Sequence, residues 1–446
     1  MEQMAQKHVM KGKHVIVISG GSYRMRTLGP DADSYGIKVT LVEHDSNHLS
    51  INGVHGFIEY DYTDHTRDHE HANEIVRLIH ERGIKADGCL SFCNECTPLA
   101  ALICEKMELR GLTYNAAVIA TSKSWTQNVL RRSSKEGGDS NTGIFATHAV
   151  HLRSALDCDR LPESFKFPAI LKLDNCSAAV GACMVKSQTE MKTKFQKVTS
   201  SLRTDSDFPH IGLNLGNTMT AWEFYVGTEH IVDVVIYDKT LICAFVTDSG
   251  VVRQPYYIAT ARRMPTFLPK EQRNQIIDAA FRCCLGIGLT DGLFNAEFMM
   301  TANGPKLIEI NPRMGGYVFR DWLQKLYGID IMFYAMMIAS GIKPEMPDLS
   351  ETTIQMGVMV VPSLHSKLLT ENHSNDKLRK MIDSGDVLYQ QFLETLEKSS
   401  PYEKPFGIVA VSSSSSIETK TKLINVCKTL HIDQKEYQVE QFIKNF

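Results

Sequence analysis

Polar and apolar positions alternate with period two through Phe294-Asn295-Ala296-Glu297 and again through Ile308-Glu309-Ile310-Asn311-Pro312-Arg313. This is the pattern of two half-buried strands. Thr301-Ala302-Asn303-Gly304 between them is a turn signal. A hairpin closed there sets Glu297 across from Glu309, or within one residue of it. Asn295, Glu297, Glu309 and Asn311 then share one face, while Phe294, Phe298, Ile308 and Ile310 fill the other. Two carboxylates facing each other across a ladder destabilise it, and a cation between them turns that cost into a site. Oxygen donors without His or Cys suit a hard ion such as Mg²⁺, which usually also takes phosphate oxygens. Arg313, two residues beyond Asn311 and on the same face, is placed to neutralise a transferring phosphoryl group. A merely solvated polar face would carry Lys partners over this span, and this one does not.

The same patterning lays out the rest of the chain. Residues 14–19 form a continuous apolar strand followed by Gly20-Gly21-Ser22, residues 28–35 a helix, and residues 39–42 a second strand ending in Glu43. This is a βαβ start. The turn lacks Gly-x-Gly-x-x-Gly, so dinucleotide binding is not expected. An amphipathic helix at 75–82 and a buried strand at 88–92 complete a small parallel-sheet domain. Lys123 opens a helix running to about Arg132, and 133–142 reads as a flexible loop. Residues 167–173 are an apolar strand that carries Lys172. The small and polar residues 174–181 follow, and 182–185 resume a strand. Together they read as a flap whose backbone N–H groups could cover phosphates. Lys172 would point a charge at them; the alternative is an ordinary edge-strand lysine. Residues 220–226 and 230–237 read as a hairpin around Gly227-Thr228-Glu229, continued by 241–247. Residues 270–285 form a helix with an apolar face of Ile276, Ile277, Ala280, Phe281 and Cys284. Another helix, from about 318 to 327, follows Met314-Gly315-Gly316, whose glycines suit close approach of backbone to ligand. Beyond about Lys343, 355–361 and 407–411 are strands, 417–430 is a helix, and the Ser412–Ser416 run is a loop and helix cap.

Composition narrows the class. The chain has 446 residues, 43% hydrophobic and 22% charged, ordinary values for a soluble protein. A net charge of -3 gives no electrostatic case for nucleic acid. No apolar run reaches membrane-spanning length, and residues 1–13 lack a signal-peptide core. Eleven cysteines, an odd number scattered through apolar contexts, suggest reduced core thiols and a cytoplasmic setting. Cys93-x-x-Cys96 has no second pair, so a structural zinc site is not expected. His65, His69 and His71 with Asp64, Asp68 and Glu70 read as a solvated loop or helix start. Trp222 and Tyr225 beside Glu223 suit either base stacking or strand packing.

These features in this order resemble the ATP-grasp superfamily: an α/β N-terminal domain, a strand lysine before a small-residue flap, Glu223-x-x-x-Gly227-x-Glu229, and Glu297 followed by Glu309-x-Asn311-x-Arg313. Within it the chain is similar to the carnosine synthase family, on Gly227-Thr228-Glu229-His230, Ala280-Phe281-Arg282-Cys283-Cys284-Leu285-Gly286, Glu309 to Gly316 with Arg320-Asp321-Trp322, and Pro405 to Val411. The resemblance departs at two places. Vertebrate members carry a long additional N-terminal half, and the loop 254–264 reads Tyr256-Tyr257-Ile258-Ala259-Thr260-Ala261 where an acidic residue is expected.

The resemblance implies an α/β fold with α+β elements, of the ATP-grasp type. Its parts would be a Rossmann-like domain (1–115), a small ATP-clasping lobe with flap (116–226), a large catalytic lobe (227–345) and a C-terminal α/β subdomain (346–446). It implies an ADP-forming carboxylate–amine ligase working through an acyl phosphate, with β-alanine and L-histidine as the carnosine-type pair. Other amino acid and amine substrates, a synthetase or carboxylase of nucleotide biosynthesis, and a non-catalytic ATP-binding regulator are the alternatives. Glu297, Glu309 and Asn311 would hold Mg²⁺, which Mn²⁺ could replace. Lys123 and Lys172 would contact the phosphates of ATP. The linker Glu223, Phe224, Tyr225 and Val226 would bond adenine, Glu229 the ribose, and Arg313 the transferring phosphoryl. Glu95, Arg262, Gly315, Gly316 and Arg320 are the candidates for substrate contact. The expected partners are small molecules, with no nucleic acid and no membrane, and the expected assembly is a homo-oligomer.

Overall fold

The computed structural model describes residues 2–21, 23–133, 142–175, 179, 181–201, 218–254, 257–347, 349, 353–370, 372–392 and 405–446. Most of the expected loop 133–142, residues 176–178 and 180 of the expected flap, and Tyr256 lie outside these. Strand β1 (His14–Ile18) carries no polar alternation, and its last four residues are buried, as parallel strands covered on both faces must be. It pairs in parallel with β2 (Lys38–Glu43), which β3 (Gly56–Glu59) flanks, and with β4 (Gly88–Leu90), in the order β3-β2-β1-β4. The helices Asp68–Glu81 and Thr97–Lys106 seal one face with Ile75, Ile79, Leu99 and Ile103.

A second sheet holds β5 (Val150–Leu152), β6 (Ala169–Leu173), β7 (Cys183–Val185) and β8 (Met219–Glu223), in the order β5-β8-β6-β7. Here the expected hairpin between 220–226 and 230–237 fails. β8 pairs with β5 and β6, whereas the strand after Gly227 belongs to another sheet. Leu171 and Leu173 face the helix Gln188–Ser201 through Phe195 and Val198. β6 is interior to its sheet, so Lys172 is not an edge-strand lysine.

The largest sheet is antiparallel. It comprises β9 (Thr228–Tyr237), β10 (Thr240–Ser249), β13 (Ala261–Met264), β14 (Gly292–Thr301), β15 (Gly304–Asn311), β16 (Ile354–Val360), β17 (Leu388–Gln391) and β18 (Gly407–Ser413). The order is β15-β14-β9-β10-β13-β16-β18-β17. A short ribbon, β11 (Val252–Arg253) with β12 (Ile258–Ala259), precedes β13. The strands of the 346–446 segment therefore continue the large sheet through the β13–β16 pairing. Ser415 caps the helix Ser416–Thr429, its side chain accepting from the Glu418 N–H at 3.2 Å.

The β14–β15 hairpin packs one face on the helix Lys270–Gly286. Phe294, Ala296, Phe298, Leu307 and Ile310 meet Ile276, Ala279, Ala280, Cys283 and Cys284 there, with Ile277 and Phe281 at the margin. Ile308 departs from strict alternation. The pairing slips between Glu297 and Phe298, so that Glu297 opposes Glu309 while Phe298 opposes Leu307. This bulge leaves Ile308 as the extra residue. It packs instead against Ala149, Ile170 and Trp222 of the second sheet and its approach.

The N-terminal domain is pinned to the large lobe by a charge cluster. Arg320, on the helix Tyr317–Tyr327, donates to Asp330 at 2.7 and 2.6 Å and to Asp31 at 2.6 Å; Tyr35 also donates to Asp330. The expectation that Arg320 clamps a substrate carboxylate is thereby corrected: its fork is filled by two carboxylates of the protein and only 8% of the residue is exposed. No helix among the described residues is long and apolar enough to cross a membrane.

Arg320→Met should leave Asp330 enclosed and uncompensated, lowering stability by about 3–5 kcal/mol; urea unfolding reads this as a lower midpoint. A second test uses His365. Its Nδ1 accepts from the Val361 N–H at 3.0 Å, and burial pushes the imidazole down to about 4 from 6.5. The native state thus binds this proton more weakly than the unfolded chain. The stabilisation is intact above the unfolded value and drains as pH falls toward the folded one, amounting to about 2 kcal/mol lost by about pH 5. Thermal unfolding across that range should show the loss, and His365→Gln should flatten that part of the profile.

Candidate active site

Glu297 lies directly opposite Glu309, and Asn295 opposite Asn311. The two carboxylates stand in the wall of a cavity of about 280 Å³ that Lys123, Lys172, Glu229, Tyr257 and Arg262 also line. Desolvation and the charges of Glu309 and Glu229 push the Glu297 carboxyl well above the usual carboxylate range, against Lys172 and Arg262. Desolvation would raise Glu309 too, but Lys123 and Lys172 outweigh it and hold this carboxyl low. The Lys123 ammonium sits 3.2 Å from Glu309 Oε2. A strained anionic pair, oxygen donors throughout and cations on one side make a donor set that fits a hard divalent ion. Glu297, Glu309 and Asn311 could hold it. No group of three or more His, Cys, Asp or Glu gathers for a metal among the described residues; this set instead mixes two carboxylates with an amide.

The lysines come from separate elements that one residue ties together. Asp174, directly after β6, accepts from Ser122 Oγ at 2.6 Å and from the Ser124 N–H at 2.8 Å. Its carbonyl accepts from the Lys123 N–H at 3.3 Å. It therefore caps the helix Lys123–Ser133. One turn on, Gln127 donates to the Leu307 carbonyl at 2.9 Å, which fixes the helix to β15. Lys172 itself passes 5.2 Å from the Trp222 ring centre.

Behind the hairpin runs a chain of amides. Asn311 Nδ2 faces Asn295 Oδ1 at 3.4 Å, and Asn295 Nδ2 donates to Asp233 Oδ1 at 2.9 Å. The Gly315 N–H donates to the same oxygen at 3.0 Å. Asp233 was not singled out from the sequence. Its signal was one carboxylate inside the apolar run Ile231-Val232-Asp233-Val234-Val235. It is 2% exposed, its Oδ2 has no hydrogen-bond partner among the described residues, and burial raises it to about 6 against Asn295, Gly315 and Arg313. A Cβ at Gly315 would stand 2.5 Å from Asp233 Oδ1. That glycine therefore serves a close approach of protein to protein, whereas the space beside Gly316 is open.

An apolar cluster adjoins the cavity at Tyr257. Ala149, Ile170 and Trp222 cluster with Met184, Tyr225, Tyr257 and Ile308. The Phe224 N–H is bonded to the Pro168 carbonyl at 3.0 Å, Phe224 and Val226 are exposed, and Glu223 and Glu229 are half-buried. Tyr257, in the left-handed region at φ 54, accepts from the Met184 N–H of β7 at 3.1 Å. This loop, read from sequence for an absent acid, thus reaches the second sheet. Arg262 donates to Ser249 Oγ at 2.7 Å while its Nε has no hydrogen-bond partner among the described residues. Arg313 donates to the Met314 carbonyl at 2.8 Å and borders a smaller cavity of about 80 Å³ against Phe92, Thr97 and Arg110. Glu95 accepts from the Cys93 thiol at 3.0 Å, and Asn94 beside it donates to Asn311 Oδ1. Of the expected site residues, Lys123, Lys172, Glu229, Arg262, Glu297 and Glu309 line one cavity, Arg313 borders the smaller one, and Arg320 lies in the charge cluster between the domains.

No family model matches the chain. Carnosine synthase 1 of Mus musculus is 38% identical over 447 residues, covering 100% of this chain and 54% of that protein. The Homo sapiens carnosine synthase 1 is 37% identical with the same coverage. The chain thus spans about half the length of these relatives. Among solved structures, the L-amino acid ligase from Bacillus licheniformis superposes with a TM-score of 0.71 at 17% identity, covering 95% of this chain and 98% of that one. The N5-carboxyaminoimidazole synthetase from Staphylococcus aureus complexed with ADP gives 0.69 at 13% identity, covering 94% and 97%. The chain has the ATP-grasp fold and is, along its full length, a homologue of carnosine synthase 1.

Proposed function

We propose that the chain is an ATP-dependent carboxylate–amine ligase that forms a dipeptide-like amide and releases ADP and phosphate. The observation that carries this reading is the Glu297–Glu309 pair, which shares one cavity with Lys123, Lys172 and Arg262 and with the apolar Leu173, Ile258 and Met359. Such a cavity suits a ligand with an aromatic ring at one end and a metal-bound polyphosphate at the other. The relatives named carnosine synthase 1 favour β-alanine and L-histidine as the pair, and a Bacillus subtilis relative named alanine–anticapsin ligase, 23% identical over 324 residues, favours amide formation between amino acids.

In this reading Mg²⁺, when bound by Glu297, Glu309 and Asn311, neutralises charge on the β- and γ-phosphates. Lys123 and Lys172 bind the phosphate oxygens. The linker 223–226 offers backbone groups to adenine, Ile170, Trp222 and Ile308 cover its ring, and Glu229 meets the ribose. Arg313 stabilises the phosphoryl group as it passes to the carboxylate substrate, which turns a poor electrophile into one with a phosphate leaving group. The amine then attacks. Glu95 and Arg262 remain the proposed contacts to substrate ammonium and carboxylate groups. Closure of the cleft keeps water from the acyl phosphate. The four-part division at 115, 226 and 345 belongs to this reading, as do a cytoplasmic setting, which the free thiols support, and a homo-oligomeric working form.

A matrix of amino acid and amine pairs offered with ATP and Mg²⁺, read by phosphate release and product mass, tests the proposal. β-Alanine with histidine should give phosphate, ADP and the dipeptide. AMP with pyrophosphate would overturn γ-phosphoryl transfer. Turnover with other pairs, and none with β-alanine plus histidine or histamine, would overturn the carnosine-type assignment alone. In the same assay Glu309→Gln should lower turnover by ~10²–10³-fold with unchanged thermal unfolding. Normal kinetics in that folded variant would remove the hairpin from the metal site.

A further inference from the structure

The Cys-x-x-Cys and the histidine cluster, both set aside as chemistry on sequence, meet in the fold. Cys93 and Cys96 lie in the turn that enters the helix Thr97–Lys106, and Cys96 is its N-cap residue. Each thiol bears on the other's protonation, Cys93 being pushed up and Cys96 held down. His65 is not solvated: its side chain is 10% exposed, its Nδ1 lies 3.0 Å from Asp68 Oδ1 and its Nε2 3.9 Å from Cys96 Sγ. Cys96 thus has an Asp–His pair behind it and a helix N-terminus in front, two features that favour a thiolate. Burial opposes protonation of His65, but Asp68 and Cys96 outweigh it and hold the imidazole up at about 10. Cys96 is 1% exposed, whereas Cys93 is half-buried and donates to Glu95 at 3.0 Å. Between the two cysteines stands Asn94, whose amide donates to Asn311 Oδ1.

We propose that Cys93 and Cys96 are a modification site: hydrogen peroxide oxidises them to a reversible disulfide that loosens the Asn311 end of the catalytic site through Asn94. His65 takes the Cys96 proton, and the Cys96 thiolate attacks one peroxide oxygen. The O–O bond breaks, hydroxide leaves and a sulfenic acid remains. Cys93, giving its proton to Glu95, then attacks the Cys96 sulfur, forms the S–S bond and expels a second hydroxide. The two thiol protons and the two hydroxides make two waters, and two electrons pass from the sulfur pair to the peroxide. The new bond draws Cys93 off Glu95 and reshapes the turn that presents Asn94. Asn311 loses the partner that orients its amide, a kind of loss that typically weakens metal binding by about 10–100-fold.

The inference about turnover rests on the proposed ligase reading, but the thiol chemistry does not. The reduced full-length protein is treated with hydrogen peroxide, alkylated and digested. The 93–96 peptide should lose two hydrogens and two alkyl labels, and a thiol reductant should restore both. In the ligase assay the oxidised protein should need ~10-fold more Mg²⁺ for half-maximal rate, again reversibly. Cys93→Ser and Cys93→Ala should keep the reduced protein's Mg²⁺ requirement and show no response to peroxide. Free, alkylatable Cys93 and Cys96 after peroxide treatment would overturn the site. A disulfide without any change in Mg²⁺ requirement, or an equal peroxide response in the Cys93 variants, would overturn its coupling to Asn311.

Discussion

Two like charges held across one rung of a β-ladder set the terms for this protein. The hairpin that opposes Glu297 to Glu309 is locally unfavourable, and the surrounding elements converge to offset it. Lys123 comes from a helix start, Lys172 from the second sheet and Arg262 from β13 of the large sheet. None of these cations is near the hairpin in sequence. The fold brings the helix Lys123–Ser133, a small sheet and a large sheet to one point, and the charge pair at that point is where their contributions are needed.

The layers are attached to the hairpin in different ways. The N-terminal domain shares a buried apolar cluster with the large lobe, Val15, Val17, Leu28 and Leu41 with Trp322, Phe333 and Met336, and adds polar and charged contacts: Arg320 with Asp31 and Asp330, Arg110 with Asp291, and Asn94 with Asn311. Such contacts are directional, and breaking one leaves an uncompensated charge. The second sheet meets the large lobe near the cavity through side chains such as Ile170, Trp222 and Ile308. Apolar contact is non-directional and tolerates sliding. The N-terminal side of the cleft is thus held by an extensive apolar core together with charges, and the second-sheet side by the smaller cluster around Ile170 and Trp222.

Much of this was legible in the chain because period-two alternation survives in half-buried strands. The apposition of Glu297 and Glu309 followed from alternation and one turn signal. What escaped had physical reasons. β8 and β9 are consecutive apolar strands split by Gly227, which reads as a hairpin, yet nothing local says they belong to different sheets. Ile308 obeys alternation in sequence, and only the bulge removes it from the helix-facing side. Arg320 looked free because its partner Asp31 lies 289 positions away. Asp233 was hidden in an apolar run whose single carboxylate was the clue. His65 and Cys96 are 31 positions apart and meet only once the parallel sheet has formed.

Asp174 carries a consequence for motion. It follows Lys172 by two residues and grips the helix turn that holds Lys123 with three hydrogen bonds. The two ammonium groups are therefore geared to each other: a shift of the β6 end is transmitted to the helix start, and neither lysine can swing alone. Gln127 anchors the same helix to the back of the hairpin, which makes that helix a lever with its fulcrum on β15. A charge arriving between the lysines would pull on a single linkage rather than on two independent arms.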